Sequence, residues 1–241
     1  MKKIIMLILA FTSLEFQAVA NTFQEPQKVV AISGVKMRTA PSLSAKLVKI
    51  VGYGEEVHII DTVQGIQRIE WLEGNWVKGI VDGREGYVFN GFLSRLPIPM
   101  NEYELTRRDA DATYPLISWT ENHFNPIAQA DTVEGEDYIK EVQYFEDGII
   151  LTKKESIYSF DVVLHIPGIR VGDAYNLLRS TMLTRTEREL FEENTLFIKN
   201  REDNIDKVTI DIDAPIEIIK THDGVDILVS SFQSMCGMTG F

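Results

Sequence analysis

The chain has 241 residues, with 36 acidic side chains against 24 basic ones, a formal net charge of −12 and one cysteine. A chain this acidic is repelled by nucleic acid and by anionic lipid surfaces, so neither is an expected partner. A single cysteine excludes an internal disulfide framework, which leaves packing as the source of stability.

The first twenty residues place Lys2 and Lys3 before an apolar run from Ile4 to Phe11 and a small-x-small end at Ala18-Val19-Ala20. That order predicts a signal peptide over residues 1–20, cleaved at about Ala20, and hence an exported protein, periplasmic or secreted. The apolar run is too short for a bilayer core of roughly 30 Å, and no later stretch is apolar enough to span one.

Three parts follow. Residues 27–96 read as short strands separated by turns at Ala40-Pro41-Ser42, Tyr53-Gly54-Glu55 and Asp82-Gly83, the pattern of a small all-β barrel. Residues 97–113 carry two prolines and mixed charge and read as a connector. Residues 114–241 mix strands and helices and predict an α+β domain, with an antiparallel sheet and two helices on one face. Hairpin turns fall at Asp147-Gly148 and Asp223-Gly224. Helices are expected around residues 172–183, with Ala174, Leu177, Leu178 and Met182 on one stripe, and from Thr184 to about Glu193, where Thr184 and Glu187 form a capping-box pattern.

In the first part, Arg38 closes a strand before the Pro41 turn, and a Gly54 turn leads into Val57–Ile60. A Trp76-led strand, Gly83, Gly86-Tyr87-Val88 and Phe92-Leu93 then follow in order. This series resembles the bacterial Src-homology-3-like (SH3b) domain. The resemblance implies a small barrel that binds a cell-wall peptide or another protein, with an extended peptide lying across aromatic side chains. Two features depart from it. Gly79 sits where strand alternation asks for an apolar core residue. Residues 63–72 form an apolar insertion that is expected to lengthen a hairpin and pack on something.

Strand alternation turns Val77 and Val81 inward and puts Trp76, Ile80 and Tyr87 on the reverse face, which Trp71 of the insertion can join. Such a patch is covered by the second domain, or forms a ligand groove, or completes the barrel's own core. The candidate ligand-binding residues are therefore Trp71, Trp76, Ile80 and Tyr87. Glu73 and Glu85 (with Glu70 and Asp82 beside them) are set to pair with an amine of a wall stem peptide or to form a solvated charged rim.

Residues 166–212, a Gly-led helix followed by strands, faintly resemble the module of outer-membrane assembly lipoproteins and β-lactamase-inhibitor-like domains. That resemblance implies assembly or binding. It lacks the usual Gly-Met before the helix and the Gly-x-Pro after it.

No catalytic motif is visible. Cys236 is followed by five residues, and His58, His123, His165 and His222 all precede it, the wrong order for a papain-like wall peptidase by resemblance. Its thiol is either buried or paired between molecules. His165 reads as a surface or capped histidine. The acids at Asp109 and Asp111, and at Glu202, Asp203 and Asp206, lack the glycine and closing glutamate of a calcium loop. The expectation is an exported, non-catalytic envelope protein that binds peptide, peptidoglycan or protein, with no cofactor and no metal. The alternatives are a hydrolase with an unrecognised site in residues 114–241 and an inhibitor or immunity-type protein that binds a basic partner.

Overall fold

The computed structural model describes residues 26–99, 113–181 and 185–232. The expected signal peptide, most of the connector and Cys236 lie outside them.

The barrel is built from β1 (Gln27–Val29), β2 (Val35–Arg38), β3 (Leu47–Val51), β4 (Glu56–Thr62), β7 (Trp76–Val81), β8 (Arg84–Phe89) and β9 (Leu93–Ser94). They form an antiparallel sheet in the order β3-β2-β8-β7-β4-β1-β9. Asp82 and Gly83 take φ of 48° and 72° in the expected tight turn between β7 and β8. The inward residues Val77, Val81 and Val88 close a core with Val29, Met37, Val51, Val57 and Leu93. Gly79 leaves room for a neighbour: a Cβ there would lie 2.6 Å from Val57 Cγ1. The inward volume that alternation assigns to residue 79 is therefore filled by Val57 of the paired strand β4.

The insertion forms a small hairpin of β5 (Gln67–Ile69) and β6 (Leu72–Gly74), paired from Gln67↔Gly74 to Ile69↔Leu72. Its two-residue tip is Glu70-Trp71.

Eight antiparallel strands make the second sheet: β10 (Asp131–Glu134), β11 (Tyr138–Tyr144), β12 (Ile150–Ser156), β13 (Ser159–Pro167), β14 (Thr195–Lys199), β15 (Ile205–Ile210), β16 (Ile216–Lys220) and β17 (Gly224–Phe232). Their order is β10-β11-β12-β13-β17-β16-β15-β14. Both expected hairpins are present. On β13, Val162, Leu164 and Ile166 are buried as alternation requires, while Tyr158 just before the strand is exposed. Three helices lie among the described residues of this part, where two were expected: α1 (Thr113–His123), α2 (Val171–Ser180) and α3 (Arg185–Glu193). The unexpected one is α1. Pro115 is compatible with it because a first-turn N–H has no intrahelical partner to lose.

A single apolar cluster joins the two halves. It holds Leu72, Trp76, Phe89 and Leu96 from the barrel side, together with Trp119 of α1, Leu177 and Leu178 of α2, and Val208, Ile218 and Ile227 of the sheet. Ile98, assigned to the connector, is buried too, and Trp119 Nε1 donates to the Pro97 carbonyl at 3.0 Å. The apolar packing therefore continues past the expected end of the barrel.

A candidate peptide-binding seam between barrel and sheet

The outer face of β7 and β8 carries the residues that strand alternation puts there, but they meet different fates. Trp76 is 2% exposed, and its ring meets Phe89 edge-on at 6.1 Å. Its indole N–H donates to Gln67 Oε1 at 3.0 Å. The inserted hairpin and the second half of the chain close over it, so Trp76 holds the halves together and cannot offer its face to a ligand. Ile80 and Tyr87, farther out, are half-buried. In the strand register Lys78 lies opposite Tyr87, and Arg38 flanks the same tyrosine from β2.

The two acids proposed as amine acceptors are already partnered. Glu85 binds the Lys78 ammonium at 2.7 Å, and this bond raises Lys78 above the ordinary lysine range. Glu73 pairs with Arg68, which also reaches across to β15's approach and donates to Asp203 Oδ2 at 3.1 Å and to the Asp203 carbonyl at 2.6 Å. Lys199, and Arg68 with it, hold the Asp203 carboxyl below its usual range. Of the acids flanking the aromatics, Glu70 alone is left exposed without a hydrogen bond or ion pair among the described residues, and Asp82 binds Lys49 at 2.7 Å.

Trp71 is the free aromatic. It is 60% exposed and stacks on Phe197 of β14, with centroids 6.1 Å apart and planes 13° from parallel. Its backbone is unusual. Glu70 and Trp71 take φ of 51° and 67°, the left-handed pair that a two-residue hairpin turn needs and that Asn-Gly usually supplies. A bulky side chain in that region is an outlier, and such outliers cluster at functional sites. Trp71 and Phe197 together line two adjoining clefts of about 330 and 540 Å³, each within the size of a small-ligand pocket. A third cleft, of about 300 Å³, lies on the barrel side of the hairpin and shares Glu70, Phe92 and Arg179 with the second. Sequence reasoning missed Phe197, because nothing in the alternation of β14 distinguishes a ring that meets a partner 126 positions away from an ordinary edge residue.

The seam is held by polar straps as well. Arg170, at the start of α2, donates to the Asn90 carbonyl at 3.0 Å and to Asn90 Oδ1 at 3.2 Å, while Asp173 accepts from it at 2.6 Å. Asn176, buried, donates to the Gly91 carbonyl at 2.9 Å. His165 is bonded through Nδ1 to Asp226 Oδ1 at 2.7 Å, and its Nε2 faces Asp223, a residue that lines the first cleft, at 3.6 Å. It is half-buried and held by strand neighbours.

These features define a small β-barrel packed against a helix-backed sheet, with an aromatic platform on the line where they meet. Residues 33–94 match the bacterial SH3 domain family. No curated protein and no solved structure matches the chain.

With three tryptophans in the chain and both Trp76 and Trp119 2% exposed, acrylamide is expected to quench one emitting class, and Trp71→Phe is expected to remove it. A second readily quenched indole would show that the seam opens in solution.

Proposed function

We propose that this is an exported, non-catalytic binding protein of the bacterial cell envelope, periplasmic or secreted, that holds an extended peptide of the cell wall along the seam between its two halves. The observation that carries this reading is Trp71. Its ring stands 60% exposed on a strained hairpin tip, stacked on Phe197 between two clefts. Exposed, rigidly held aromatics are the side chains richest in binding energy. The bacterial SH3 domain beneath it supports a peptide or cell-wall ligand, and the net charge of −12 disfavours nucleic acid and anionic membrane.

The test is cosedimentation of the mature protein with purified cell-wall sacculi. Trp71→Ala is expected to weaken retention roughly 30-fold, as loss of a hot-spot residue worth about 2 kcal/mol requires. Unchanged thermal stability would separate this effect from unfolding. Failure of the wild-type protein to sediment, or equal retention of the variant, would remove the reading.

A further inference from the structure

The third cleft is lined by more cations than carboxylates. Its floor is aromatic: Trp76, Phe89 and Phe92. Lys36, Arg38 and Arg179 line it against one carboxylate, Glu70. In a chain with twelve more negative than positive charges, three cations around one 300 Å³ cleft form a local reversal of sign. With a screening length of about 10 Å at ordinary salt, a ligand inside the cleft feels the nearby cations and not the distant acids.

Two of the cations are available. Lys36 points outward on β2, is exposed, and makes no hydrogen bond or ion pair among the described residues. Arg38 is half-buried and uses one terminal nitrogen to bind the Ala45 carbonyl at 2.7 Å, which leaves the other edge of its planar fork open. Arg179 is different. Its Nε donates to Glu192 at 2.6 Å, so it is already neutralised in part and fixes the wall of the cleft. Of the acids that could favour an amine ligand, Glu73 and Glu85 lie outside the cleft and are paired with Arg68 and Lys78, and the cleft's own carboxylate, Glu70, is outnumbered by its three cations.

We propose that the cleft bounded by Lys36, Arg38 and Arg179 is a carboxylate subsite, so that the seam selects a wall peptide by its acidic groups and not by its amines. The peptide's apolar portion lies over the half-buried Phe92 and continues toward Trp71, and its carboxylate meets Arg38 and Lys36. This subsite rests on the peptide-binding reading given above and adds the chemical class of the ligand.

The experiment uses the mature full chain and three preparations of sacculi: untreated, with carboxylates amidated by carbodiimide and methylamine, and with amines acetylated by acetic anhydride. Wild-type retention is expected to fall about tenfold on amidated sacculi, the product of two exposed ion pairs worth about threefold each, and to persist on acetylated ones. The double variant Lys36→Gln/Arg38→Gln should reproduce that loss on untreated sacculi with an unchanged melting temperature. If the double variant fails to fold, Lys36→Gln alone serves, because its side chain is exposed and bonds nothing; about a threefold loss is expected. Equal retention on amidated and untreated sacculi, or loss on acetylated ones, overturns the carboxylate subsite and leaves the peptide-binding reading standing. Absence of wild-type retention on untreated sacculi overturns both.

Discussion

Trp76→Ala is expected to cost about 3–5 kcal/mol of folding free energy, the usual range for removing a fully buried tryptophan. The side chain is 2% exposed and lies in the apolar cluster common to barrel and sheet. Its removal leaves a cavity on that boundary and frees the Gln67 amide oxygen from its indole partner. The barrel's own core, with Val77, Val81 and Val88, belongs to a separate cluster. The damage should therefore fall on the docking of the two halves before it falls on the barrel. Urea unfolding gives the magnitude, and amide hydrogen exchange gives the location: β2, β7 and β8 should stay protected while Asn90–Leu93 exchange faster. A loss under about 1 kcal/mol with unchanged exchange would show that Trp76 contributes little at this boundary.

The second large effect comes from adding one carbon. Gly74→Ala is expected to destabilise by about 2–3 kcal/mol, toward the upper end for an overpacked site. A Cβ at Gly74 would sit 2.5 Å from Asn90 Oδ1 and 2.7 Å from the Gly91 nitrogen. Neither is free to retreat. Asn90 Oδ1 accepts from the Asn75 N–H at 2.7 Å and from Arg170 at 3.2 Å, and the Gly91 carbonyl accepts from Asn176. The new methyl group therefore pushes on the turn to which the second half is strapped. Gly52→Ala is the control. Its nearest contact would be Glu55 Oε2 at 3.6 Å, and its backbone is not left-handed, so its melting temperature should barely move. Equal melting temperatures for the Gly74 and Gly52 variants would contradict the crowding described at Asn90.

How far these features can be read from the chain alone depends on the range of the interactions. The β7–β8 hairpin was legible because its signals are local: the Asp82-Gly83 turn, the inward valines and the reverse-face tryptophan all fall within fourteen residues. The strands and turns of the second sheet were legible for the same reason. The helix α1 was not, because Pro115 reads as a breaker and Leu116, Ile117 and Trp119 are buried together instead of forming a clean stripe. The burial of Trp76 was one of several possibilities, since strand alternation fixes the face of a residue and cannot say what lies above it. The pairing of Glu85 with Lys78 is a neighbour effect within one hairpin and was within reach. Arg68 meeting Asp203, 135 positions away, was not. The same limit hid Phe197 and Arg179, which approach the barrel only after the whole second sheet has formed. Of the candidate binding residues, Trp71 is the aromatic left at the surface, and the left-handed backbone that presents it has no marker in the residue types, because Glu-Trp is an atypical pair for that turn.

The shared apolar cluster also sets what counts as the working unit. Cutting the chain after residue 96 would uncover Leu72, Trp76 and Phe89 at once and bare a greasy plate on a half-molecule. That fragment would stick to itself, and its affinity for any wall preparation would report the plate and not the groove. Unlike a self-sufficient cassette, this barrel is finished only by the polypeptide that comes after it.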